Sequence, residues 1–138
     1  MPSKEKILEY LKNIGTSDST LIIIDSYLFP MNGDSNYKEL ITDILKQSKA
    51  KNIKVITREY DYKGKKIYNE TLCKNVSEKL DIQIEVNFSY EFHDRFWITD
   101  KNKGCTIGTS LNGISNKVTR IDELREDEVK AIMAKLPQ

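Results

Sequence analysis

The sequence predicts an α/β domain in which a mixed β-sheet carries helices on both faces. Three observations lead there. Leu21, Ile22, Ile23 and Ile24 form an unbroken apolar run, the pattern of a strand covered on both sides. Through the first part of the chain such runs alternate with apolar stripes at helical spacing, which implies parallel strands joined by crossover helices. Further on, strands follow one another across short links, so a closing hairpin adds antiparallel members.

Residues 4–14, KEKILEYLKNI, set Ile7, Leu8, Leu11 and Ile14 on one helical face, and Gly15 ends the pattern. The stretch STLIIIDSYL is the first strand and finishes at Asp25; FPMNGDSN, with Pro30, Asn32, Gly33 and Asp34, is turn-rich. A second helix, YKELITDILKQSKA, turns Leu40, Ile41, Ile44 and Leu45 inward, and NIKVITREY is the second strand. The polar loop DYKGKKIY feeds a third helix over roughly 66–80, striped by Ile67, Leu72, Val76 and Leu80. IQIEVNFS alternates apolar and polar side chains, as a strand with one more exposed face does. EFHDRFWIT and GCTIGTS are two more strands, linked by the tight turn DKNKG. Residues 124–136 make the last helix, with Val129, Ile132, Met133 and Leu136 inward.

The 138 residues suffice for one domain, spanning 1–138. The 22 basic and 21 acidic side chains leave a formal charge of +1, so any anion site must be a local patch and not a whole-molecule field. No apolar run approaches the roughly 20 residues that cross a bilayer. MPSKEKILEY is charged where a secretory signal is apolar, so a cytoplasmic protein is expected. Cys73 and Cys105 stand far apart with one histidine in the whole chain, which lacks the paired short spacings of a zinc site. They are expected to be buried reduced thiols, with no metal and no cofactor signalled.

The chemistry concentrates in FHDRFWITD. Taken as a strand, it points His93, Arg95 and Trp97 to one side and Asp94, Phe96 and Ile98 to the other. An imidazole and a guanidinium on one face combine a nucleophile with an anion clamp. If the next strand runs back regularly, its end brings Ser110 and Asn112 alongside as hydroxyl and carboxamide donors, and Gly108 lets backbone approach. Trp97 and Phe96 are read as core. Asp25 and Tyr27 end a parallel-type strand, where open sheets hold ligands, and Arg58 ends the second strand near the same rim. The lysine-rich stretches KQSKAKNIK and KGKK are read as solvated faces.

His93-x-Arg95 with Asp100, followed by Gly108, Thr109, Ser110 and Asn112, resembles the signature of the phospholipase D superfamily, which is His-x-Lys-x-x-x-x-Asp and then a Gly-Ser-x-Asn turn. The strand and helix order resembles one repeat of that fold, and IIIDSYL resembles the Asp-x-Tyr segment near the start of such domains. The resemblance implies a metal-independent phosphodiesterase in which one histidine forms a phosphohistidine and a second serves the leaving oxygen and then water. A chain with one histidine supplies the second by pairing with a copy of itself, so a homodimer about a two-fold axis is implied. His93 is then catalytic, Arg95, Ser110 and Asn112 hold the substrate, and Asp100 or Asp25 supports the site by orienting His93. Nucleic acid is favoured over lipid, because no basic amphipathic helix suggests membrane docking.

The chain departs from the signature in two places. Arg95 stands where the signature has lysine; it keeps the charge but changes the donor geometry. Beyond the Ser-x-Asn turn, Asn116 and Lys117 stand where active single-repeat members usually carry an acid, the next acids being Asp122 and Glu123. These departures define the rival reading, an inactive phospholipase D-like module that binds or senses a nucleic acid, a nucleotide or a protein. A third reading, resting on family analogy alone, is a regulatory part of a larger bacterial defence protein.

Overall fold

A computed structural model describes residues 3–108 and 120–137. A helix, α1 (Ser3–Asn13), and a short 3₁₀ turn (Thr16–Asp18) lead into β1 (Thr20–Ile24). Then come α2 (Ser35–Ser48), β2 (Asn52–Thr57), α3 (Glu70–Leu80) and β3 (Ile84–Phe88). The strands β4 (Arg95–Thr99), β5 (Gly104–Ile107) and β6 (Ile121–Glu123) precede α4 (Glu126–Ala134). The sheet runs β3-β2-β1-β4-β5-β6. β1, β2 and β3 are parallel, while β4, β5 and β6 pair antiparallel to their neighbours. A mixed sheet with helices on both faces is therefore what the residues build.

Local signals place the helices. Asp34 caps α2 by accepting from Tyr37 N at 2.9 Å, and Asn69 caps α3 by accepting from Leu72 N at 3.0 Å. The Glu128 carboxylate accepts from Arg125 N at 2.9 Å at the start of α4, whose first turn is acidic where the helix end is electropositive. Without glycine to stop them, α2 and α3 end on left-handed Lys49 (φ 58) and Asp81 (φ 54).

Strand alternation sorts the core into two layers. On one face, Leu21, Ile23, Val55, Trp97, Cys105 and Ile107 meet Ile7, Leu11, Ile41, Ile44, Leu72 and Val76 from α1, α2 and α3. On the other, Ile22, Ile24, Ile56, Phe92 and Ile98 meet Val129 of α4, with Phe96, Ile132 and Met133 packed against them. β1 is covered on both sides, as its apolar run requires. Trp97 is core as expected, and Phe96 is partly so. Cys73 and Cys105 are buried free thiols. Burial, with a smaller contribution from Glu123, pushes the Cys105 thiol up to about 12. Among the described residues, no helix is long and apolar enough to cross a membrane.

The structure corrects three element boundaries and adds one strand. The third helix starts at Glu70 and not near 66, because Tyr68 is bridged to Pro30 and Asn69 is committed to the cap. β6 was not anticipated; only Ile121 of its three residues is buried, too short a signal to read. The last helix is Glu126–Ala134. Most consequential, β4 begins at Arg95 and not at 91. β3 is the sheet edge and β4 lies beside β1, so residues 89–94 must cross three strand spacings, about 14 Å. They run over the strand ends instead of along a strand. Only Phe92 of 91–94 turns inward, its ring edge-on to Phe96 at 6.5 Å, while Glu91, His93 and Asp94 are exposed.

The β4–β5 turn leaves no room for a side chain at Gly104. A Cβ there would meet Trp97 O at 2.8 Å and Ile98 Cα at 2.9 Å, both on rigid central backbone. Gly104→Ala is expected to destabilise the fold by about 1–3 kcal/mol, read as a lowered urea midpoint at unchanged slope.

Candidate functional site

The register of β1 on β4 pairs Leu21 with Thr99 and Ile24 with Phe96. Extending it by one residue sets Asp25 opposite Arg95. By alternation both then lie on the Leu21, Ile23 and Trp97 side of the sheet, facing α2. The Arg95 Nε lies 3.7 Å from Asp25 Oδ1, an ion pair between a side chain 1% exposed and one 29% exposed. That distance is too long for a hydrogen bond. Nε itself is buried and has no hydrogen-bond partner among the described residues, so the remaining exposure of Arg95 falls on its other atoms.

Asp25 also accepts from Tyr27 N at 2.9 Å, which bends the chain out of β1. Behind it stands Tyr37 of α2, whose hydroxyl donates to Leu28 O. Burial pushes the Tyr37 hydroxyl far up, and the Asp25 charge adds to the shift. Asp25 is thus a carboxyl group inside the fold, with a cation beside it and a backbone donor on it. A buried carboxylate without such partners is strongly unfavourable.

His93 lies on the crossing segment two residues before Arg95, exposed, at the C-terminal ends of the parallel strands. The expected strand alternation does not apply to it, because β4 starts after it. Among the described residues no hydrogen bond or ion pair holds its ring. Asp100 sits at the opposite end of β4, about 16 Å along the strand from Arg95. There its carboxylate accepts from Thr20 N at 3.2 Å and its own N donates to Thr20 O at 3.3 Å, stitching β4 to the start of β1. Ser110 and Asn112, together with Asn116 and Lys117, lie outside the described residues. Gly108 N donates to Arg120 O at 2.8 Å beyond the end of β5.

Two features of the rim went unread in the sequence. The polar loop 61–68 is braced with Tyr60 into a hairpin: Tyr60 bridges Lys66, and the Asp61 carboxylate accepts from Lys63 N and Lys65 N, each at 2.9 Å. Arg58 stacks over the Tyr90 ring at 5.2 Å, joining the end of β2 to the crossing segment. The DxxxK spacing of a braced turn was the available signal for the first; the second needs the topology. Among the described residues, no group of three or more His, Cys, Asp or Glu is arranged to hold a metal ion.

No family model and no curated protein sequence matches the chain. Among solved structures it is similar to a phospholipase D family member, Nuc from Salmonella typhimurium. The match has a TM-score of 0.54 at 10% identity and covers 95% of this chain and 82% of that one. The chain shares the fold of that protein.

A cation held over a buried carboxylate should show as energetic coupling. In a double-mutant cycle of Asp25→Ala and Arg95→Met, each single change is expected to cost about 2–3 kcal/mol, with a coupling of about 1–2 kcal/mol. Chemical denaturation measures both.

Proposed function

We propose that the chain is a phospholipase D-like phosphodiesterase domain acting on nucleic acid, with His93 as nucleophile and Arg95 as the cation that grips the phosphate. One observation carries the reading: an exposed imidazole stands two residues from a guanidinium anchored by a buried carboxylate, at the C-terminal ends of parallel strands. That edge is where open sheets accommodate ligands. Asp25 fixes the position of the Arg95 side chain, so less conformational freedom is lost when phosphate arrives. Ser110 and Asn112 would donate to the remaining non-bridging oxygens.

The chemistry is a double displacement. A ring nitrogen of His93 attacks phosphorus, and an N–P bond forms as the P–O bond to the leaving group breaks. The leaving oxygen takes a proton from His93 of the partner subunit, because one chain holds a single histidine. That ring then takes a proton from water, whose oxygen attacks phosphorus and releases the first His93. The mechanism needs no metal and requires a C2 homodimer with both rings at the axis.

A second reading rests on a specific observation. The His93 ring is without a hydrogen-bond partner among the described residues, and Arg95 replaces the lysine of the signature. An unoriented imidazole is a poorer base, and a domain that keeps the clamp but not turnover would bind or sense a phosphodiester.

Incubation with single- and double-stranded DNA, RNA and bis-p-nitrophenyl phosphate in EDTA separates the two. The expected outcome is EDTA-resistant cleavage that falls to background in His93→Ala, with sedimentation showing a dimer. Equal background in both proteins, with binding intact, would leave the binding module; a strict monomer would remove the second histidine the mechanism requires.

A further inference from the structure

The large hydrophobic side chains that stand exposed among the described residues are Tyr27, Met31, Tyr60, Tyr62, Phe88 and Tyr90. All six fall at the C-terminal ends of β1, β2 and β3, the edge that carries Arg95 and His93. Chance scatter of surface aromatics would not gather them at one edge of the sheet. Tyr62 is 87% exposed, yet it rides the hydrogen-bonded hairpin 60–66. That hairpin also carries the exposed Lys63, Lys65 and Lys66. Its acid, Asp61, spends a carboxylate oxygen on the turn's own backbone.

Between this hairpin and the β1–α2 loop lies an open depression of about 430 Å³, lined by Tyr27, Met31, Asn32, Lys65 and Lys66 among others. Its walls are fixed to one another. Asn69 N donates to Phe29 O at 2.8 Å, Asn69 Nδ2 donates to Pro30 O at 3.3 Å, and Pro30 bridges Tyr68. Tyr27 joins the depression to the clamp, because its backbone N–H is held by the same Asp25 that pairs with Arg95. At the base of the hairpin, Tyr60 N donates to the Tyr90 hydroxyl at 3.4 Å, and Arg58 lies over the Tyr90 ring.

We propose that this aromatic and lysine rim is a base-stacking platform for an unpaired nucleic-acid strand, leading bases over Tyr27, Tyr60 and Tyr62 while its phosphates pass Lys63, Lys65, Lys66 and Arg95. Tyrosine faces take any base, and interleaved cations follow the backbone, which is the combination that single-strand binding needs. In a duplex the faces of the bases are occupied by their neighbours, so the rim offers a duplex only its lysines. The inference deepens the nucleic-acid reading of the same site. It concerns binding, and so it can stand or fall apart from the phosphohistidine chemistry.

The test uses His93→Ala protein, so that cleavage plays no part. Fluorescence anisotropy compares a labelled oligothymidine of about 12 nucleotides, a duplex of equal length, and an abasic strand of equal length carrying the same phosphates. The oligothymidine is expected to bind at least about five-fold more tightly than either of the others, each stacked base contributing about five- to a hundred-fold. Tyr62→Ala, a change at a nearly fully exposed position, and Tyr27→Ala with Tyr60→Ala should erase that preference while abasic binding persists. Tyr62→Phe should retain it. Equal affinity for thymidine and abasic strands would overturn the platform. So would a shift of the unliganded protein from dimer to monomer on loss of the tyrosines, which would make the rim an interface between copies.

Discussion

The ion pair of Asp25 with Arg95 is the constraint on which the rest of the rim depends. Burying a carboxylate is costly, and the chain offsets that cost with a guanidinium across the strand pair and a backbone N–H from Tyr27. Arg95 opens β4 and Asp25 directly follows β1, the two strands that join the parallel half of the sheet to the antiparallel half. Where β1 ends, the same carboxylate bends the chain toward the β1–α2 loop. Where β4 begins, the same guanidinium marks the landing point of the segment that carries His93. One contact thus fixes the cation, the exit of one loop and the entry of another.

Topology does the remainder. A parallel strand must leave the sheet at its C-terminal end, and β4, being antiparallel to β1, must enter at that end. The stretches 25–34, 58–69 and 89–94 are therefore gathered on one edge whatever their composition. What the sequence adds is their chemistry: tyrosines that are not buried, lysines on a braced turn, and one exposed histidine. Asp100 shows the contrast. It occupies the equivalent register position at the other end of the same ladder, across from Thr20, and there it holds two strands together.

How much of this could be read in advance depended on whether the signal was local. The apolar run of β1, the helical stripes, the Asp34 cap and the tight turn before Gly104 are written in neighbouring residues, and the mixed sheet with helices on both faces followed from them. The start of β4 was misjudged because FHDRF has strand-like composition, while the need to cross the sheet appears only when the strand order is known. For the same reason Asp25 and Arg95 could each be singled out, but their pairing could not, since 70 positions separate them in the chain and only the β1–β4 register brings them together. Ser110 and Asn112 remain expectations from the signature alone.

The lone histidine makes the central claim, that His93 and Arg95 converge on one phosphodiester, open to direct observation. The imidazole carbon–proton resonances of His93 are unique in the spectrum, and the Arg95 Nε–H can be assigned by loss in Arg95→Lys. Titration with a non-cleavable phosphorothioate diester is expected to move both sets of signals together and saturably, with one dissociation constant. Signals that stay fixed while ligand binds elsewhere, or that move with separate affinities, would contradict a shared site.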